Sequence, residues 1–275
     1  MMLPFAPSRT PYPPDWIVPD WPAPANVRAV FTTRSGGVSA PPFDSFNLGD
    51  HVRDDPQAVA INRQRLAAVT GARPVFLQQV HGTSVVVLNA RTAHGAAADA
   101  VVTTDVGVAC TVMVADCLPV LLTHRAGTVV AAAHAGWRGL AQGVLEECFS
   151  SWLALAQQQP SATQRLVMAD VMAWLGPCIG PQAFEVGGEV RAAFMAWRPE
   201  TATCFTAGPT AGKYLANLPQ LARLRLQAMG IGAVYGNDGE PTWCTVTQSS
   251  RFFSHRRDAF RLGSSGRMAA CIWRV

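Results

Sequence analysis

The chain has 275 residues, 49% of them hydrophobic and 15% charged, with a formal net charge of +4. That is enough apolar mass for a large core and too much for a disordered chain. Of the 22 basic residues one is a lysine, Lys213, and the arginines form no run or stripe of the kind that binds nucleic acid.

No apolar stretch approaches a membrane span, and the opening Met-Met-Leu-Pro-Phe has no signal-peptide core. The seven cysteines are an odd number in a long chain. They read as reduced thiols of a cytoplasmic protein, with a metal ligand or nucleophile among them.

Residues 1–26, rich in proline and tryptophan, predict an extended arm with one short structured piece near 16–19. Residues 27–275 read as one α/β domain with mixed sheets. Its first strand covers 27–33, followed by the loop Arg34-Ser-Gly-Gly-Val-Ser. Asp54-Asp55-Pro56 starts a helix: a carboxylate cap, proline in the first turn, then Val59, Ile61, Leu66 and Val69 on an apolar face. Short strands follow at 74–77 and 84–88, and the sheet resumes at 99–104 and 108–114. A single helix runs from Gly136 to about Gln157, with Leu140, Val144, Leu145, Cys148 and Trp152 at helical spacing. Beyond it come a strand at 167–175, helices at 185–197 and 214–229, and closing strands at 231–234, 251–255 and 269–273.

The centre of the chain is the stretch 115–139. Two apolar runs, 118–123 and 128–133, flank the turn His124-Arg125-Ala126-Gly127 and predict a hairpin of buried strands. Cys117 enters the first strand and His134 leaves the second, so pairing brings thiol and imidazole together. His81, in Gln78-Gln-Val-His-Gly82, also stands at a strand end. Two imidazoles and a thiolate suit zinc with a fourth position open; the same set suits copper. The plainer alternative is a buried cysteine and two hydrogen-bonded histidines. Asp116 could orient an imidazole or move protons, or simply close a strand-end ion pair. Arg34 in its glycine loop and Arg138 at a helix start both suit an anion. Ser254-His-Arg-Arg-Asp258 reads as an ion-pair network.

These residues resemble the YfiH family, long labelled laccase-like or multicopper polyphenol oxidase. The matching stretches include Phe31-Thr-Thr-Arg-Ser-Gly-Gly-Val-Ser, Ser45-Phe-Asn-Leu-Gly, Gln79-Val-His-Gly, Ala115-Asp-Cys-Leu-Pro-Val, Ala133-His-Ala-Gly-Trp-Arg-Gly, Leu175-Gly-Pro-Cys-Ile-Gly-Pro and Phe252-Phe-Ser-His-Arg-Arg-Asp. The resemblance implies a single-domain, four-layer α/β fold with mixed sheets, shared with the catalytic domain of cytotoxic necrotizing factor toxins. It implies a zinc site of His81, Cys117 and His134, with Cys117, His134 and Asp116 catalytic and Arg34, Asn47, Gln79 and Arg138 on the substrate. It implies phosphorolysis of adenosine, inosine and methylthioadenosine, and deamination of adenosine, by a monomer or homodimer with no nucleic-acid or membrane partner. Two features depart from the family pattern. His255 stands where tyrosine is usual, and the segment 258–267 is longer than the usual link to the last strand.

Three other readings stay open: a Cys117–His134 hydrolase acting on peptidoglycan precursors, a copper-dependent polyphenol oxidase, and a non-enzymatic small-molecule or partner-binding protein. Six histidines are too few for a mononuclear and a trinuclear copper centre together. The usual zinc deaminase signature is absent, since Pro177-Cys178 is followed by Ile-Gly-Pro.

Overall fold

The computed structural model describes residues 12–159 and 168–275. Its strands and helices, in chain order, are β1 (Val27–Phe31), α1 (Pro56–Thr70), β2 (Arg73–Val75), β3 (Val85–Leu88), β4 (Ala100–Thr103), β5 (Val108–Val114), β6 (Leu118–His124), β7 (Val130–Ala135), α2 (Trp137–Gln142), α3 (Val144–Gln157), β8 (Val171–Leu175), β9 (Glu185–Val186), α4 (Gly188–Trp197), β10 (Phe205–Ala207), β11 (Tyr214–Ala216), α5 (Leu218–Ala228), β12 (Ala233–Gly236), α6 (His255–Leu262) and β13 (Met268–Arg274). They form a four-stranded sheet ordered β1-β13-β5-β2, a six-stranded sheet ordered β12-β8-β6-β7-β4-β3, and a satellite β10-β11-β9. Both large sheets mix parallel and antiparallel pairs.

Strand alternation sorts side chains into three apolar layers. In β13, Ala269, Cys271 and Trp273 face one way and join Leu66 of α1. Met268, Ala270 and Ile272 face the other and meet Leu121, Val130, Ala132 and Trp174 of the six-stranded sheet. The far face of that sheet, including Leu118, Val120, Ala131, Ala133 and Ala135, packs on Leu145, Cys148 and Trp152 of α3 and Leu221 of α5. Three cores between four layers confirm the expected α/β fold class. The alanines of β7 leave room for α3 to lie close, and Trp152 Nε1 donates to the Val129 carbonyl at 3.1 Å.

The hairpin expectation holds, with the second strand two residues further on, so His134 lies inside β7 rather than beyond it. Helix α1 starts as predicted: the Asp55 side chain accepts from Gln57 N–H, Pro56 opens the first turn, and Gly71 closes the helix at φ 65°. Its buried face differs from the prediction. Ile61 is exposed and Asn62 is fully buried in its place. Asn62 Nδ2 donates to Ser39 Oγ and to the Ser45 and Asn47 carbonyls, while Oδ1 accepts from Val38 N–H.

Four other expectations are corrected. The long helix after Gly136 breaks at Gly143, whose φ of 100° ends α2 and begins α3. Arg225 occupies the break, donating to the Ala141 carbonyl at 2.6 Å and pairing with Glu146 at 2.5 Å. The helices expected from 185 and 214 each begin as a short strand of the satellite sheet, since Glu185 pairs with Leu215. Residues 251–254 form no strand; the Ser254 hydroxyl accepts from Arg257 N–H and starts α6. The expected network at 254–258 condenses to a two-point pair between Arg257 and Asp258, at 2.7 and 2.8 Å. Residue 167 and residues 1–11 of the N-terminal arm lie outside the described residues; in the rest of the arm Trp16 is buried and Ile17 bridges to Phe31.

Asn62→Ala would strand the Val38 N–H and the buried Asn47 carbonyl, and leave the Ser45 carbonyl with the Ser39 N–H alone. We expect a loss of about 2–3 kcal/mol in unfolding free energy, measured by urea denaturation; a loss within ~0.5 kcal/mol would show that water replaces the amide.

Candidate metal centre and its cavity

Two sheet strands and one loop deliver the central side chains. In the register of β6 and β7, Leu118 pairs with Ala135 and Pro119 with His134. Cys117 therefore sits one residue beyond the paired end, beside the turn into α2. Alternation puts His134 on the same side as Val130 and Ala132, between the two large sheets. His81 arrives from the loop before β3 in the left-handed conformation, at φ 59°.

Asp99 sets that loop. Its carboxylate is fully buried and accepts three successive backbone N–H groups, from Val80 at 3.2 Å, His81 at 2.9 Å and Gly82 at 2.7 Å. It also accepts the Nδ1–H of His134 at 2.8 Å. Burial pushes the Asp99 carboxyl up, but His134 and the backbone donors together hold it below the ordinary carboxylate value.

The donor atoms of His81, Cys117 and His134 lie within 4.8 Å of one another, with Cys117 Sγ 3.7 Å from His81 Nε2. Gly136 makes this approach possible. A Cβ there would stand 2.9 Å from His81 Cδ2 and 3.0 Å from Cys117 Sγ. Gly139 has a similar role, since a Cβ would meet the Gly82 carbonyl at 2.6 Å.

Burial alone would raise the Cys117 thiol and lower the His134 imidazole. Their mutual attraction, helped by Asp99 and His81, reverses both: the thiol falls to about 6 and the imidazole rises to about 9. Both shifts favour the thiolate–imidazolium form of the metal-free pair. Two imidazoles and a thiolate, one imidazole fixed through its other nitrogen by a carboxylate, fit a transition metal. The set accommodates zinc or copper.

All three donors line a cavity of about 460 Å³, together with Gln79, Asp116, Trp137, Arg138, Phe184, His255, Arg256 and Arg267 among others. Asp116 is at φ 90°; its carboxylate accepts from Thr245 Oγ1 and from Arg256 N–H, both at 2.6 Å. Gln79 lies with its amide paired to β5, donating to the Met113 carbonyl and accepting Met113 N–H. Arg138 is exposed, its guanidinium 4.7 Å above the Trp137 ring. His51 also lines the cavity, and burial, then Arg267, hold it and His255 below the ordinary histidine value. Arg138, Arg256 and Arg267 therefore face one carboxylate, Asp116.

Two sequence-assigned residues stand elsewhere. Arg34 lines a separate cavity, where it pairs with Asp44 at 3.1 Å and donates to the Ser249 carbonyl. The expectation that Arg34 and Arg138 flank one pocket fails, because the 34–45 loop folds back on its own arginine. Asn47 is fully buried and spends its amide within the chain: Nδ2 on Gly49 and Asp54, Oδ1 on Gly49 N–H and Arg267 N–H. It is not among the residues lining the cavity; it places Arg267. Sequence reading missed Asp99, although Ala98-Asp-Ala is one of the family's stretches, and missed Arg267 and Arg256.

The family model described as multi-copper polyphenol oxidoreductase laccase matches residues 28–275. A purine nucleoside phosphorylase of Pseudomonas aeruginosa is 49% identical over 94% of this chain and 98% of its own. The purine nucleoside phosphorylase YfiH of Escherichia coli is 48% identical, with the same coverage. Among solved structures, a Neisseria meningitidis protein superposes with a TM-score of 0.83 at 47% identity, covering 94% of this chain and 99% of its own. YlmD of Geobacillus stearothermophilus superposes at 0.77 with 32% identity, covering 91% and 92%.

Asp99→Asn keeps the shape but turns an amide NH₂ towards groups that all donate. We expect metal affinity to fall roughly 10–100-fold, read by zinc competition against a chromophoric chelator. Wild-type affinity in a folded variant would remove Asp99 from this role.

Proposed function

The chain belongs to the YfiH family, the family described as multi-copper polyphenol oxidoreductase laccase, and on that premise we propose that it is a zinc-dependent purine nucleoside phosphorylase. Its substrates are adenosine, inosine and methylthioadenosine with inorganic phosphate, and it also deaminates adenosine. It works in the cytoplasm as a monomer or homodimer, through a catalytic unit spanning 27–275. No helix among the described residues is long and apolar enough to cross a membrane.

The observation that carries this reading is a metal-type donor cluster opening on a cationic cavity of nucleoside size. In phosphorolysis a phosphate oxygen bonds to the ribose C1′ as the C1′–N9 bond breaks. The electron pair leaves with the purine, which takes up a proton. Each requirement has a counterpart in the lining. Trp137 and Phe184 offer apolar faces for the purine, and the arginines offer charge for the anion. Asp116, its two oxygens held by Thr245 and Arg256, is the carboxylate placed to handle a proton. His81, Cys117 and His134 would hold the metal, which supplies Lewis-acid stabilisation of developing charge. Gln79 acts by fixing the cavity wall to β5.

One observation favours a second reading. Cys117, His134 and Asp99 line up as thiolate, imidazolium and orienting carboxylate, the arrangement of a cysteine hydrolase. A copper polyphenol oxidase has less support. Of six histidines, His94 and His124 lie outside the cavity, and His51 and His255 stand apart from the donor cluster.

The two readings part on metal removal. We expect chelation to abolish phosphorolysis of inosine to hypoxanthine and ribose 1-phosphate, and added zinc to restore it. Cys117→Ser should lose zinc together with activity, about 100-fold or more. Full turnover by protein free of zinc and copper, abolished by alkylation of Cys117, would overturn the metal reading and favour the hydrolase.

A further inference from the structure

We propose that Arg267 is the anion-binding residue of the cavity and holds the phosphate that attacks the nucleoside. The choice of anion rests on the phosphorylase reading above; the anion site itself rests on the geometry of the guanidinium.

A largely buried guanidinium ordinarily has a carboxylate beside it, because an unpaired buried charge is costly. Arg34 has Asp44, Arg63 has Asp50, Arg225 has Glu146 and Arg257 has Asp258. Among the described residues Arg223, Arg267 and Arg274 have no such ion pair; Arg223 gives both terminal nitrogens, and Arg274 its Nε and Nη1, to backbone carbonyls. Arg267 Nη1 donates to the Ser265 and Gly266 carbonyls at 2.7 and 3.1 Å. Its Nε and Nη2 donate to no protein atom among the described residues, neither is fully buried, and Arg267 lines the cavity. One edge of the fork is thus tied back while the other is free for a two-point acceptor, the geometry a phosphate supplies.

The chain builds this placement from several sides. Asn47 Oδ1 accepts the Arg267 backbone N–H at 2.8 Å. Gly49 lacks the Cβ that would stand 2.7 Å from Arg267 Cγ, so the stem passes through a gap made for it. Asn47 is itself locked by Gly49, Asp54 and Asn62. Three hydrogen bonds that hold Asn47 thus act on one arginine through its backbone N–H. Arg267 lines the same cavity as Asp116 and Cys117, which puts its charge beside the donor cluster. Arg138 is a poorer candidate: it is exposed and stacks on Trp137.

The test uses zinc-loaded, full-length protein and inorganic phosphate as the probe. Phosphate binding is measured by calorimetry, and the Michaelis constants for phosphate and inosine are measured separately. Arg267→Met should weaken phosphate binding roughly 10–100-fold, the range of lost charge-assisted hydrogen bonds. Its zinc content should stay at the wild-type level, and the Michaelis constant for inosine should move much less than that for phosphate. Arg267→Lys keeps charge but loses the fork and should fall between the two; it also serves if the methionine variant fails to fold. Equal phosphate affinity in wild type and either folded variant overturns the proposal, as does a wild type that binds no phosphate. A wild type that binds phosphate through Arg267 but cleaves no nucleoside leaves this site standing and removes the phosphorylase reading.

Discussion

The site depends on one buried carboxylate. Asp99 stands immediately before β4, and the register of β4 with β7 sets Ala100 against Ala133, so Asp99 falls opposite His134. Backbone pairing continues there, with His134 N–H donating to the Asp99 carbonyl at 2.7 Å. A carboxylate with no exposed surface needs full hydrogen bonding to remain ionised. It obtains that from Val80, His81, Gly82 and the His134 ring. The same four bonds that stabilise the charge wind the His81 loop and fix which nitrogen of His134 faces Cys117. Fold stability and site geometry therefore share one residue.

The hairpin and its thiol–imidazole meeting were legible because they are local. Two apolar runs bounded by turn residues bring Cys117 and His134 together whatever the rest of the chain does. The anion site was not legible, because it is assembled from distant pieces. Arg34 donates to Ser249, and Arg267 is positioned by Asn47, 220 residues away. An arginine in a loop carries no sequence signal for which cavity it faces. Short elements escaped for another reason. β9 and β11 have two and three residues, below any window in which a period of two can be seen. Some missed boundaries did have local signals: Asn217 caps α5 through Gln220 N–H, and Ser254 caps α6.

Metal binding and thiol chemistry draw on the same geometry. Without metal, the mutual attraction of Cys117 and His134 favours an ionised thiol and a charged imidazole. To ligate, a charged His134 must give up its extra proton, while Asp99 keeps its hold on the other nitrogen. Asp99 thus supports both states: imidazolium by charge, and a neutral ligand by fixing its tautomer. This explains why alignment of the three residues alone cannot separate a metal site from a cysteine triad, and why the rest of the cavity must decide.

The cavity's charge balance bears on that choice. Three arginines face one lining carboxylate, and that carboxylate is already occupied by Thr245 and the Arg256 amide. A hydrolase that attacks through Cys117 has only the small negative charge of an oxyanion to stabilise, for which backbone donors suffice. A surplus of guanidinium groups is in excess of that need and would stabilise the resting thiolate against attack. The surplus is matched by a substrate that brings its own charge. Phosphate does, and as a dianion it also competes with water for the position next to the sugar, where water would give hydrolysis. The arginines are thus consistent with the proposed transfer to phosphate, in which His81, Cys117 and His134 would form the metal-holding wall of that same cavity.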